Sequence, residues 1–428
     1  MASGSTAAPA AASRALRLSA IFSSTPRGRP RKPKPAPTPD APAGEAGSQP
    51  PQKARVPFRK ILGRLSLRQI PPEKLVSEFI AASTSSARFR DQPRVYEDFV
   101  SRLASAGHRD AVTAIIDAQK PFIEASGEAF AARLIRLYGR ASMPSHAAAI
   151  FRDLPPQLKT VRTFNNLLAA YLDAGDFDAL ATAFQEIPAS HPTIVPGVYS
   201  YNIFISSLCQ NPDLSAAVDT VGLMERRGLS PDIVTFKILL NAFYSNGRMD
   251  DADKIWEMMK EKNVKPDTKC FNKRLRALVA QGRIEDAAAI VESMEKDGPK
   301  PDTVTYNELI RGYCKEGMLD EAKKVYDNFV KNECAPNKGT FQTLVPRLLD
   351  AGELDCALSC CHDIISSKCR VNRSLLPGVV NALVAASRLE EARIVELGRR
   401  KLRSFGRRGS EKEEESGNAD EVPSEIKH

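Results

Sequence analysis

Cys356, Cys360, Cys361 and His362 form the densest group of metal-ligating or nucleophilic side chains in this 428-residue chain. Cys356 and Cys360 stand at i, i+4, so on a helix their thiolates would share a face and could share a metal ion. The other reading is that small residues fill a seam between helices in a reducing compartment. Cys209 and Cys314 favour it, because they fall at one position of a repeated pattern. No nucleophile–base constellation, glycine-rich phosphate loop or metal motif stands out elsewhere. The chain is therefore read as non-enzymatic, with no cofactor, metal or small-molecule substrate.

A second kind of polar chemistry recurs on a fixed period. Pro-Asp or Pro-Asn pairs stand at Pro231-Asp232, Pro266-Asp267, Pro301-Asp302 and Pro336-Asn337. An aromatic falls at Tyr201, Phe236, Phe271, Tyr306 and Phe341, each 35 residues after the last, usually followed by an amide or other polar side chain. Glycine recurs at Gly247, Gly282, Gly317 and Gly352, and alanine at Ala252, Ala287, Ala322 and Ala357. Four registers with one period mark a repeat architecture.

The elements that must carry these residues follow from residues 301–337. Leu309, Ile310 and Tyr313 give a first helix an apolar face, and Gly317 ends it where the backbone must turn left-handed. Ala322, Val325, Tyr326 and Phe329 give a second helix its i, i+3, i+4, i+7 stripe. Ala322 is small where two helices approach closely, and Pro336 breaks the chain before the next unit. Neither helix can bury its stripe alone, so units must stack. The expected fold is all-α, an α-solenoid of helix-turn-helix units. Clear units span 161–197, 198–232, 233–267, 268–302, 303–337 and 338–372. A shortened one runs from 373 to about 402, with Leu389, Ala392 and Val395 on its second helix.

The stretch VTYNELIRGYCKEGMLDEAKKVYDNFV and the Pro-Asp junctions resemble pentatricopeptide repeats of the plain 35-residue type. The tetratricopeptide repeat has a period of 34 and a Trp-x-x-Leu-Gly signature that is missing here. The resemblance implies single-stranded RNA as partner, messenger or ribosomal, with about one base facing each repeat. In that family the base is read by the polar residue after the first-helix aromatic together with the unit's last residue. Carried over, this pairs Asn165 with Gly197, Asn202 with Asp232, Lys237 with Asp267, Asn272 with Asp302, Asn307 with Asn337, and Gln342 with Asn372. By the same resemblance, Asn with Asp reads uracil, and Asn with Asn reads a pyrimidine, usually cytosine. The base-stacking positions, three residues before each reader, hold Arg162, Tyr199, Val234, Lys269, Val304 and Gly339. Lys237, Gln342 and Gly197 depart from the usual set. Each Asn, and each terminal Asp, also has a purely structural reading as a helix-start residue satisfying free backbone groups.

Charge and composition place the array in its wider chain. The formal net charge is +9, but residues 1–64 hold twelve Lys/Arg against two Asp/Glu, and residues 411–428 hold seven acids against two lysines. Residues 65–410 are only mildly basic, so bulk electrostatics does not by itself imply nucleic acid. Residues 1–56 have no acid before Asp40, are rich in Ala, Ser and Arg, and read as a transit peptide followed by a basic Pro-rich linker. Arginine on a short amphipathic segment points to mitochondria, with plastids as the alternative. Residues 57–160 read as a helical cap of degenerate repeats, 161–402 as the array, and 403–428 as a disordered charged tail. No apolar run approaches the ~20 residues needed to cross a bilayer, so no membrane insertion is expected. Some pentatricopeptide proteins end in a deaminase-like domain, whose H-x-E and C-x-x-C motifs are missing from the C-terminal part here. The whole chain also resembles short plant mitochondrial pentatricopeptide proteins of the small ribosomal subunit, which implies subunit proteins and ribosomal RNA as alternative partners.

Overall fold

A computed structural model of the chain describes residues 72–210, 214–331 and 334–415, and every regular element among them is helical. The expected transit peptide and linker, the start of the expected cap and the end of the tail lie outside the described residues. Two compact bodies divide the chain after Leu208.

The N-terminal body begins with α1 (Pro72–Ser85), α2 (Ala87–Arg90), α3 (Pro93–Ser105), α4 (Arg109–Asp117) and the single turn α5 (Ile123–Ser126). It continues with α6 (Glu128–Arg140), α7 (Pro144–Asp153), α8 (Val161–Ala174), α9 (Phe177–Ser190) and α10 (Val198–Leu208). Its core is aromatic. Phe79 stacks on Phe99 at 4.3 Å between centroids, and Phe184 on Phe204 at 4.4 Å. Buried Tyr96 donates to Gln119 Oε1 at 3.1 Å, so its hydroxyl is satisfied in the core.

The C-terminal body starts with α11 (Ser215–Arg226) and repeats a hairpin. Its pairs are α12 (Ile233–Ser245) with α13 (Met249–Glu261), α14 (Thr268–Ala280) with α15 (Ile284–Asp297), and α16 (Thr303–Lys315) with α17 (Leu319–Lys331). Then come α18 (Lys338–Asp350) with α19 (Leu354–Ser366), and α20 (Leu375–Ala385) with α21 (Leu389–Glu415). In this body first helices pack on the first helices of the next hairpin, and each also packs on its own second helix.

The hairpin turn follows from one backbone position. Gly247, Gly282, Gly317 and Gly352 have φ of 70–77°, the left-handed region that L side chains enter at a cost. The same register holds Gly107 and Gly175, and also Ser142 (φ 54°) and Ser387 (φ 60°), where the sequence offers no glycine. Thus α3 and α6 turn at the repeat's position although their sequences match it poorly. Acidic residues then open the second helices, as Asp250 and Asp251 do in α13 and Asp320 and Glu321 in α17, where the helix dipole favours negative charge.

The seam residues land as the periodicity requires. Ala252, Ala287, Ala322 and Ala357 are fully buried, as are Phe236 and Phe329. Phe271 is half-buried against Trp256, with centroids 5.0 Å apart. Leu389, Ala392 and Val395 stand on the last second helix, α21, and the far end of that helix departs from expectation. Leu389 is 62% exposed, because it opens α21 before the stripe of Ala392 and Val395 turns inward. Helix α21 runs past 402 to Glu415, into the segment expected to be irregular. Carboxylate–guanidinium contacts one turn apart, Glu396 with Arg399 at 2.6 Å and with Arg400 at 3.0 Å, support the helix as it enters that segment.

Candidate nucleic-acid interface

The residues that close each repeat are helix caps. Asp232 accepts from Thr235 N at 2.9 Å, Asp267 from Cys270 N at 3.1 Å and Asp302 from Thr305 N at 2.9 Å. Asn337 accepts from Gly339 N at 2.8 Å and Thr340 N at 3.3 Å. Each satisfies a backbone N–H that the first helical turn leaves without an intrahelical partner. The cap therefore holds the side chain in one place, at the start of the following first helix.

That position brings the cap residue onto the candidate reader of the hairpin before it. Asn272 Nδ2 donates to Asp302 Oδ1 at 3.0 Å, and Asn307 Nδ2 donates to Asn337 Oδ1 at 3.2 Å. Lys237 Nζ lies 2.7 Å from Asp267 Oδ2. Capping and pairing are thus one arrangement rather than rival readings of Asp302 and Asn337.

A hydroxyl completes it, at positions the 35-residue register contains but the family resemblance does not mark. Thr305 donates to Asn272 Oδ1 at 2.7 Å, Thr340 to Asn307 Oδ1 at 2.6 Å, and Ser200 to Asn165 Oδ1 at 2.6 Å. Each hydroxyl directly precedes the repeat's aromatic, so a Ser or Thr on the 35-residue period was the available signal. A donor on Oδ1 and an acceptor on Nδ2 fix which way the amide faces. At Asn272 and Asn307 one N–H and one lone pair of the amide then remain for a base edge.

The hairpins differ in how fully they build this. At Asn165 the partner position is Gly197, and Ser200 alone orients the amide. At Lys237 the hydroxyl position is Cys270, and the reader is a cation tied to Asp267. Burial raises the Asp267 pKa, but the hydrogen bonds from Lys237 and Cys270 outweigh it and hold the carboxyl below its ordinary value. No hydrogen bond joins Gln342 to Asn372, and Gln342 Nε2 is buried without a partner among the described residues. The reason is local: α20 starts only at Leu375, so exposed Asn372 lies ahead of the cap position. Asn202 is buried at 2% exposure in the N-terminal body.

Among the stacking positions, Tyr199 and Val304 are unusually open for large apolar side chains, at 48% and 41% exposure. Arg162 and Lys269 are exposed, and Val234 is half-buried. In the N-terminal body, Arg162, Asn165 and Tyr199 border one cavity of about 880 Å³ with Thr160, Asn166 and Thr193. Two stacking residues and the reader between them therefore face a common space.

Cys360 and Cys361 are buried in α19, and burial pushes both thiols up to about 12. A thiol so disfavoured as thiolate is a poor ligand or nucleophile. Among the described residues no group of three or more His, Cys, Asp or Glu is placed to hold a metal ion, and no helix is long and apolar enough to cross a membrane.

Comparison with known proteins places these hairpins. The PPR repeat family matches residues 196–245 and 301–350, and a single PPR repeat matches 234–264. The chain is similar to the small ribosomal subunit protein mS78 (rPPR3a) of Arabidopsis thaliana, with 36% identity over 175 residues, 40% of this chain and 44% of that protein. A mitochondrial pentatricopeptide repeat-containing protein of the same plant is 32% identical over 164 residues, 38% of this chain and 41% of that protein. The chain spans less than half the length of these curated relatives. Among solved structures it is similar to the maize pentatricopeptide repeat protein PPR10, at 17% identity and a TM-score of 0.44, covering 81% of this chain and 58% of that one. The matched segments 196–264 and 301–350 are thus similar to pentatricopeptide repeats, and they contain the left-handed hairpin turns at Gly247 and Gly317.

Proposed function

We propose that the chain is a non-catalytic RNA-binding protein that holds single-stranded RNA along its first helices and acts in mitochondrial RNA metabolism or translation. The observation that carries this reading is the repeated amide arrangement. Asn272 with Asp302 and Asn307 with Asn337 are bonded alike, one repeat apart, and each is oriented by a threonine hydroxyl. An amide held on two sides, with donor and acceptor capacity left over, suits the edge of an unstacked base. An open stacking residue in each body, Tyr199 in the N-terminal one and Val304 in the C-terminal one, suits the face of a base bound there. Asn165 and Asn202 in the N-terminal body and Lys237 in the C-terminal body are further proposed readers, whereas Gln342 and Asn372, which do not meet, are the weakest candidates. Titration of the full chain against labelled single-stranded RNA, the matching DNA and duplex RNA tests it. Saturable binding with a preference for single-stranded RNA supports it, and equal or undetectable binding to all three rules it out.

A second reading is favoured by the likeness to mS78, whose name places that protein in a small ribosomal subunit. In it the same surface holds ribosomal RNA beside subunit proteins. Sedimentation of the tagged protein from gently lysed mitochondria, with and without magnesium, separates the two. Co-migration that follows the small subunit when magnesium is removed supports a ribosomal component, and light fractions shifted by RNase support a transcript factor.

A further inference from the structure

Helix α6 (Glu128–Arg140) stands at the first-helix place of a hairpin, since Ser142 takes the left-handed turn that Gly175 and Gly317 take in theirs. Counting from the helix start puts Ala132 where Asn165, Asn272 and Asn307 stand in later repeats. An alanine offers nothing to a base edge. The same helix instead carries Arg133, Arg136 and Arg140. With Arg162 of α8, these line a cleft of about 240 Å³ whose wall also includes Glu97 and Asn166.

The guanidiniums are incompletely used. Arg140 pairs with Glu97 at 3.0 Å, Arg136 with Asp173 at 3.0 Å and Arg162 with Glu128 at 3.9 Å. Arg133 has no carboxylate partner within ion-pair distance among the described residues, and its Nη1 donates to the Arg90 carbonyl at 2.5 Å. Burial lowers its pKa from the ordinary value, so an incoming anion would relieve a desolvated cation. Arg136 Nη1 is buried with no partner among the described residues. Each guanidinium has five donors in a planar fork, so at most one carboxylate apiece leaves donors over.

Arg162 and Asn166 border both this cleft and the larger cavity that holds Asn165 and Tyr199. We propose that the arginine cleft is a phosphate site, taking a phosphodiester group of the same RNA strand whose base sits at Asn165. The inference rests on the RNA-binding function proposed above. It makes the hairpin of α6 and α7 a backbone clamp one repeat beyond the base-reading hairpins. Phosphate fits better than an acidic peptide because the cleft continues into a space lined by stacking and amide side chains.

The test is the salt dependence of RNA binding by the full chain carrying Arg133→Gln and Arg140→Gln. Neither residue borders the base cavity. Affinity should fall roughly tenfold at low salt, alike for every RNA sequence. The slope of log K against log salt should shrink by ~0.7 for each phosphate that is no longer neutralised. Arg133→Lys with Arg140→Lys should keep the slope, since charge is retained. If the double Gln variant melts below the parent, Arg133→Gln alone serves, with a slope change of ~0.7 expected. An unchanged slope and affinity, while Asn272→Ala still weakens binding, overturn the phosphate site and leave the RNA reading standing. Loss of poly-glutamate binding with RNA binding intact also overturns it, in favour of an acidic protein partner. A parent chain that binds no RNA defeats the underlying function itself.

Discussion

Asn272 and Asp302 allow base reading to be separated from folding, because Asp302 does two jobs through one carboxylate. It accepts the Thr305 backbone N–H as a cap, and it accepts Asn272 Nδ2. Asp302→Ala removes both, so loss of the cap (about 1 kcal/mol) and of the Asn272 bond (about 1–2 kcal/mol) should together cost about 2–3 kcal/mol of stability. Asp302→Asn keeps the cap, since Asn and Asp cap about equally well, but replaces a charged acceptor by a neutral one. Asn272→Ala leaves the cap intact and deletes two side-chain hydrogen bonds. Thr305 retains Asp302 Oδ1 at 3.0 Å, so no buried donor is stranded and the stability loss should stay near 1–2 kcal/mol. If the amide reads a base, Asn272→Ala also forfeits roughly 1–3 kcal/mol of binding, about 5- to 150-fold in Kd. The assay is fluorescence anisotropy against RNA registers that place uracil or another base at this repeat, beside urea melts. The expected order of affinity loss is Asn272→Ala above Asp302→Asn, whereas stability falls most for Asp302→Ala. Affinities that track stability across the three variants, with no dependence on the base, would refute the reading. They would leave Asn272 as a structural residue.

Other perturbations test the fold directly. Gly317→Ala meets no atom within 4 Å of the new Cβ, so its cost is the left-handed φ of 76° alone. It should destabilise the chain by about 1 kcal/mol in a urea melt. Ala322→Leu pushes a larger side chain into a fully buried position and should cost about 1–3 kcal/mol or more, read the same way. Asp267→Asn keeps the cap and removes the Lys237 ion pair. The carboxyl titrates below its ordinary value in the folded chain, so the pair contributes above pH ~4 and is lost as pH falls. The stability gap between parent and variant should therefore be below ~1 kcal/mol at neutral pH, because Asp267 is 38% exposed, and should close on acidification. A gap that widens at low pH would contradict that assignment.

The sequence by itself determined the repeat, and through it the hairpin. Glycine on a 35-residue period requires a left-handed turn, alanine on the same period requires close helix approach, and Pro-Asp or Pro-Asn requires a capped start. These are local requirements, and residues within a few positions of one another express them. Asn165, Asn272 and Asn307 were legible as polar residues at fixed places for the same reason. What only tertiary structure decided was which neighbour each one meets. Asn272 lies 30 residues from Asp302 and 33 from Thr305, and stacking of successive first helices brings all three together. The same stacking fails for Gln342, because α20 starts too late to present Asn372 as a cap. It also places Arg133, Arg136 and Arg140 beside Arg162, a grouping that their own helix does not reveal. Periodicity specifies the elements because it is a property of the chain. Partners across hairpins depend on helix starts and packing distance, and those become definite only when the hairpins stack.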